Sequence, residues 1–294
     1  MQIGFFAIGI GPSADPELIA LTARTVEQCG FHSLWAPEHV VFLKEFASKY
    51  PYAQDGKLPT PSTKIPLLDP LATLTFASAH TKTLRLGTGV YLVPERNPVV
   101  TAKQVVSLDV LSGGRFDFGV GIGWLAEEFA AVGVPWERRA ERTLEYLQAM
   151  KRLWTEEEPE FRGEFCSFPK AHLFPKPVQK PYPPILFGGN SAPALRRAAE
   201  AGDGWFGFNL TPEETKSKIA RIRQYARAAG RDPEKLHLSI SPGLGTSVDL
   251  DEVKRYRDAG VHQVIVGSIP RDAQAVQGSI ERLAEQIVVP AEKL

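Results

Sequence analysis

The stretch Leu84-Arg-Leu-Gly-Thr-Gly-Val90, continued by Asn97-Pro98 and closed by Ser112-Gly-Gly-Arg-Phe116-Asp-Phe-Gly-Val-Gly121, contains one whole repeat of the fold. Two short apolar runs flank a helical pattern at 98–112. Asn97 can accept a free helix-end N–H, and Pro98 stands where its missing donor costs nothing. Outward from this unit the same alternation runs through the chain. Strand-like runs are Gln2–Gly9, His32–Ala36, Leu84–Val90, Phe116–Gly121, Pro184–Gly188, Gly204–Phe208, Leu236–Ser241 and Gln263–Gly267. Helical patterns lie at about 15–29, 69–80, 98–112, 137–155, 191–201, 211–229, 249–259 and 272–288. Asp15-Pro16, Asp69-Pro70 and Thr211-Pro212-Glu-Glu214 repeat the start signal. Gly30, Gly202, Gly230 and Gly260 follow helical runs, where a left-handed residue ends a helix.

Eight strands alternating with eight helices predict an α/β fold with a parallel sheet and helical crossovers. Eight repeats in 294 residues favour closure into a single-domain (β/α)₈ TIM barrel over residues 1–294, with an open doubly wound sheet as the alternative. Two stretches break the rhythm, 40–66 after strand two and 157–183 before strand five. Both are rich in Pro, Lys and aromatic residues, and insertions of this length predict functional lids or interface arms.

Composition narrows the function. Lys plus Arg and Asp plus Glu each total 34, so the formal charge is zero and the basic excess of a nucleic-acid binder is missing. The two cysteines, Cys29 and Cys166, form no CxxC pattern, which points to a reducing cytoplasm without a disulfide framework or structural zinc. Met1–Ile10 lacks a basic region and is soon broken by Pro12 and Pro16, so it reads as a first strand rather than a signal peptide. No run approaches the ~18 apolar residues of a membrane span.

In such barrels chemistry sits at the C-terminal ends of the strands. Strand two is followed by Trp35-Ala-Pro-Glu38-His39: a flat apolar wall, a carboxylate and an imidazole suited to moving a proton. A solvated surface loop is the bland alternative. Gly89 and Val90 end strand three, where glycine marks a bulge or a close ligand. Strand four ends in Gly119-Val-Gly-Ile122-Gly123-Trp124-Leu-Ala-Glu127-Glu128, whose third glycine comes too early for a dinucleotide fingerprint. A glycine-lined mouth for a planar ring fits better. Strand five runs through Gly188-Gly189-Asn190-Ser191 into a helix start, with Arg196 and Arg197 a turn later, a setting suited to a phosphate, or else an ordinary connection capped by Ser191 with solvated arginines. No lysine ends a predicted strand and no HExxH or G-x-S-x-G occurs, which disfavours Schiff-base aldolases, metal hydrolases and serine hydrolases.

Taken in order, Gly30-Phe31…Trp35-Ala-Pro-Glu38-His39, Leu86-Gly-Thr-Gly-Val90, Asn97-Pro98, Ser112-Gly-Gly-Arg-Phe116, Gly119-Val-Gly-Ile-Gly-Trp124, Pro175-Lys-Pro-Val-Gln-Lys-Pro…Pro183-Pro-Ile-Leu-Phe-Gly-Gly189 and Ala201-Gly-Asp-Gly-Trp205 resemble the luciferase-like monooxygenase family, in particular its branch using the deazaflavin coenzyme F420. The resemblance implies a tricyclic ring over the barrel mouth, backed by a bulge at Gly89–Val90 whose peptide bond is cis rather than trans. It carries the ribityl and phosphate towards Ile122–Gly123 and Gly188–Ser191, and places Glu38 and His39 beside the reactive ring carbon. Similar deazaflavin dehydrogenases have a catalytic Glu directly after the strand-four glycines. Trp124 stands there, so Glu127 or Glu128 could replace it only if the loop turns back.

Three functions follow. The first is hydride transfer between F420 and an organic substrate, with His39 moving a proton. The second is an FMN-dependent monooxygenase; a deazaflavin cannot readily form the oxygen adduct, so the cofactor decides the chemistry. The third is a barrel without catalysis that only binds a ligand. Phe6, Trp35, Phe42, Trp124 and Trp205 suggest a flat or apolar small-molecule substrate, and the resemblance implies a homodimer.

Overall fold

The computed structural model describes residues 1–58, 62–269 and 271–294; residues 59–61 of the first insertion, and Pro270, lie outside the described residues. In chain order the elements are β1 (Gln2–Phe6), α1 (Pro16–Gln28), β2 (Ser33–Ala36), α2 (Pro70–Ser78), β3 (Arg85–Thr88), the short β4 (Tyr91–Leu92), α3 (Pro98–Leu111) and β5 (Phe116–Gly121). There follow α4 (Ala126–Ala131), α5 (Arg139–Thr155), the strands β6 (Phe161–Arg162) and β7 (Ser167–Phe168), β8 (Ile185–Gly188) and α6 (Ala192–Ala201). The chain ends with β9 (Gly204–Phe208), α7 (Pro212–Ala228), β10 (His237–Ser241), α8 (Leu250–Asp258), β11 (Gln263–Gly267), α9 (Ala273–Leu283) and α10 (Val289–Ala291).

Eight parallel strands close on themselves: β1–β2–β3–β5–β8–β9–β10–β11 and back to β1. With helices between the strands this is the expected (β/α)₈ barrel. The local chemistry is the one the sequence spells out. Asp15, Asp69, Asn97 and Thr211 each accept a first-turn N–H, and Pro16, Pro70, Pro98 and Pro212 open their helices. Gly30, Gly230 and Gly260 stop helices with positive φ. Gly202 does not: its φ is −92°, and a Cβ there would lie 2.8 Å from the Phe187 ring. It is a glycine of close approach.

Other boundaries shift for local reasons. The first strand stops at Phe6, before a cis Phe6–Ala7 bond, and Gly9 then turns the chain with φ of 76°. The last helix breaks at Leu283 into a five-residue π turn over Ala284–Val288. The 157–183 insertion folds an antiparallel hairpin, Phe161 against Phe168, that its weak periodicity did not announce. Among the described residues, no helix is long and apolar enough to cross a membrane.

Inside the barrel, Phe6, Ala7, Trp35, Leu186, Phe206 and Ile265 form their own buried cluster. Trp35, expected at the mouth, belongs to this filling: 1% of it is exposed, and its Nε1–H donates to Ser33 Oγ at 2.7 Å. The indole fits because Gly87, opposite it in β3, has no side chain; a Cβ there would lie 2.4 Å from the indole. The ring cannot step aside without breaking its bond to Ser33. Gly87→Ala is therefore expected to cost about 3 kcal/mol in urea unfolding, the upper range for overpacking a core. A loss below about 0.5 kcal/mol would show that Trp35 moves freely.

Candidate active site at the barrel mouth

β2 delivers Glu38 and His39 to the mouth and turns them apart. His39 Nδ1 lies 2.8 Å from Glu128 Oε2. The other Glu128 oxygen accepts the Val40 N–H at 2.5 Å and the Val41 N–H at 3.1 Å. An acceptor so supplied takes the imidazole proton on Nδ1 and leaves Nε2 as the ring's second proton-transfer atom. Two rings complete the grip, Phe42 at 4.3 Å and Trp124 edge-on at 5.6 Å. The loop after β5 has thus turned back, and Glu128 is the acid that meets His39.

Glu38 points the other way. Its Oε1 lies 2.5 Å from Arg96 Nη2, and its Oε2 accepts the Leu92 N–H. Burial pushes this carboxyl up to about 7, against the pull of Arg96 and the Leu92 N–H. It ties the end of β2 to β4, with Arg96 stacked over Tyr91 at 4.6 Å.

The 40–66 insertion lies against this loop through a second glutamate. Glu127 accepts the Ala47 N–H at 2.6 Å, the Ser48 N–H at 3.2 Å and the Ser48 hydroxyl at 2.7 Å. Ser48 Oγ in turn accepts the Ala126 N–H at 3.0 Å. From the far side Asn209, just past β9, donates its side-chain N–H to Tyr52 O at 2.8 Å. Between these anchors runs a chain of half-buried rings. Phe46 and Tyr50 meet Trp124 at 5.9 and 5.3 Å, Tyr50 meets Tyr52 at 5.5 Å, and Tyr52 meets Phe208 at 5.1 Å. Edge-to-face contacts of this kind favour both partners' quadrupoles. Phe42 and Trp124 were expected in this wall. Phe6 and Trp205 lie buried below it.

Across the mouth, the Gly89–Val90 peptide bond is cis and Val90 is half-buried. Gly89 lies against Phe6 and Phe206, and Val90 fills the space over Gly121 and Gly188. Gly189 has φ of 105° and accepts the Trp205 Nε1–H at 2.9 Å. Asn190 is spent on β9: its amide N–H donates to Phe208 O at 2.6 Å, and its Oδ1 accepts the Phe208 N–H at 3.4 Å. Ser191 caps α6 through the Ala194 N–H.

The cations here were not evident from spacing. Arg139 lies flat on Trp136 at 3.4 Å, with its Nε–H 3.4 Å from Gly123 O. Arg197, on α6, has a buried Nε without a hydrogen-bond partner among the described residues. Burial, then the charge of Arg139, pulls Arg197 below its usual value, and burial does the same to Arg139, in both cases against the charge of Glu141. Among the described residues neither has a carboxylate within 4.0 Å. Arg196 instead covers Tyr225 at 5.0 Å. Two under-compensated guanidiniums near Gly123 and α6 favour an anion.

The model of the luciferase-like monooxygenase family matches residues 4–291. The chain belongs to that family. An uncharacterized protein of Mycobacterium tuberculosis is 35% identical over 273 residues, covering 91% of this chain and 93% of that protein. The FMNH(2)-dependent dimethylsulfone monooxygenase of Pseudomonas putida is 36% identical over 185 residues, 62% of this chain and 48% of that one. A solved F420-dependent secondary alcohol dehydrogenase, in complex with an F420-acetone adduct, superposes with a TM-score of 0.77 at 21% identity, covering 98% of each chain. This luciferase-like chain therefore shares its barrel with proteins named for F420 and for FMN.

The clamp on the insertion gives a direct test. Glu127→Ala removes three acceptor contacts from Ala47 and Ser48 and should speed proteolytic nicking within 44–50 by about tenfold or more, since one lost charged hydrogen bond is worth ~1.5–3 kcal/mol. Unchanged nicking would mean the insertion is held by its rings alone.

Proposed function

We propose that this luciferase-like oxidoreductase transfers a hydride between coenzyme F420 and a neutral, apolar organic substrate. The observation that carries the reading is the polarity of the mouth. At one end His39, oriented by Glu128, has Nε2 for proton transfer. At the other, Arg139 and Arg197, whose Nε is orphaned, have no carboxylate within 4.0 Å among the described residues. Rings line the wall between them.

These residues fit a flat ring with an anionic tail. Val90 and the mouth glycines would support the ring, and Arg139, Arg197 and the start of α6 would hold the phosphate. When bound, the cofactor would supply or accept the hydride. His39 would give or take the proton at the substrate oxygen, with Glu128 keeping its tautomer fixed. The rings would exclude water and favour uncharged substrates.

An FMN-dependent monooxygenase is the second reading, favoured by the name of the Pseudomonas putida relative. Fluorescence titration of the purified protein with F420 and FMN separates them; tighter F420 binding is expected, and FMN binding without F420 affinity would overturn the first reading. Arg197→Ala should weaken whichever cofactor binds by roughly 10–100-fold, the worth of a charge-assisted hydrogen bond. His39→Ala should lower turnover about 10²–10⁴-fold with cofactor affinity nearly unchanged. Near-normal turnover would make His39 a packing residue.

A further inference from the structure

At the floor of the barrel, the end opposite the mouth, one seam between strands is closed by a side chain. β10 and β11 pair at Ser239 with Gln263 and at Ile240 with Val264. One residue earlier, the His262 N–H donates to Leu238 O at 2.8 Å. The Leu238 N–H donates to the imidazole of the same residue, His262 Nδ1, at 3.0 Å. The ring thus takes the place of a carbonyl as the first rung of the seam. Leu238 is 1% exposed, so a donor left without that acceptor would be a buried one. A ring nitrogen accepts only through its lone pair, so this bond requires a neutral imidazole with its proton on Nε2. A proton on Nδ1 would set two donors face to face.

The ring is nevertheless within reach of solvent protons. His262 is exposed, and with Gln2, Glu234, Lys235 and His237 it lines a cleft of about 560 Å³. His237, at the start of β10, stacks on it with centroids 5.6 Å apart and planes at 29°. Arg223 of α7 and Glu234, in the turn before β10, are the charged groups acting on His262, and they lie 3.6 Å from each other. Behind His237 are His32 and Asp117 of β5, and Asp117 accepts the Arg85 Nε–H at 2.8 Å. Burial first, then Arg223, lowers His262 against the pull of Glu234. Burial pushes His237 down to about 4, helped by His262 and His32 and opposed by Asp117 and Gln263.

We propose that His262 is a proton-sensitive latch: neutral, it holds the start of β10 to β11, and protonated in mild acid, it releases the Leu238 N–H and opens the seam from the floor. The latch involves no residue of the mouth and stands apart from the reading of the cofactor. Its chemistry is a single proton transfer from solvent to Nδ1, which removes the one lone pair the Leu238 N–H uses.

Histidine ¹⁵N NMR and amide exchange on the whole chain test it without cofactor or substrate. At neutral pH the His262 ring, assigned by its loss in His262→Asn, should carry its proton on Nε2. Protection of the Leu238 N–H, corrected for the intrinsic exchange rate, should fall about tenfold as the ring gains its second proton, the worth of one hydrogen bond. The Gly89 N–H, held by Ala36 O at 2.8 Å, is the reference and should keep its protection. Asparagine offers an acceptor, Oδ1, at the same remove from the backbone and takes no proton. His262→Asn should therefore keep Leu238 protected across the whole range, and His262→Ala should lose that protection at every pH. A proton on Nδ1 in the neutral ring, Leu238 protection that ignores pH, or an acid loss as large in His262→Asn as in the native chain overturns the proposal. If the asparagine variant does not fold, the native tautomer and the native pH profile decide. Stability gives a second readout. The unfolded chain takes the His262 proton at higher pH than the folded chain, so the latch contributes fully above about 6.5 and is lost as the pH falls below it. The native protein should lose thermal stability relative to His262→Asn over that fall; parallel curves would contradict it.

Discussion

The mouth of this barrel depends on two adjacent carboxylates at the start of α4. Glu127 and Glu128 accept from Ala47, Ser48, Val40, Val41 and His39. Apart from His39, those donors are backbone and side-chain groups of a long insertion whose described residues form no helix and no long strand. Without acceptors, its amides would be satisfied by water and its rings would have no fixed place. With them, one short helix sets the orientation of His39, the path of residues 40–52 and the wall that joins Trp124 to Phe208. Each bond is charge-assisted, so each is stronger than a neutral loop contact.

The same economy of charge runs through the layer behind the mouth. Glu38 is paired with Arg96, Glu128 is saturated by donors, and burial holds the carboxyl of the unpartnered Glu95 up to about 9. Buried acids must be paired, hydrogen-bonded or protonated, and here one of each lies within a single cluster. On the opposite side the imbalance has the other sign: among the described residues neither Arg139 nor Arg197 has a carboxylate within 4.0 Å, and Glu141 acts on them only from farther off. The mouth therefore has a proton-handling end and an anion-seeking end, separated by Val90 and the glycines.

Legibility followed how local each signal was. Asp15-Pro16, Asp69-Pro70 and Asn97-Pro98 are complete instructions within a few residues, and the helices start where they say. The strand Phe116–Gly121 is likewise set by its own apolar run. The position of His39 at the mouth could be read because it follows a strand end in a barrel. Its partner could not: Glu38 and Glu128 are equally acidic on paper, and only the turn of the loop through Gly123, with φ of 77°, brings Glu128 round to Nδ1. Arg197 and Arg196 are adjacent in sequence, yet helical rotation sends one towards Arg139 and the other onto Tyr225. Trp35 looked like a wall because it precedes the mouth by a few residues, while strand alternation turns it inward onto Gly87.

Amide hydrogen exchange resolved to single residues measures the clamp in the native protein. The N–H groups of Val40, Val41, Ala47 and Ser48 lie in an irregular surface segment but donate to Glu127 and Glu128. They should exchange far more slowly than unanchored loop amides, and together, as one opening unit with α4. Exchange of these four amides at loop rates, independently of α4, would contradict a mouth built on the two glutamates.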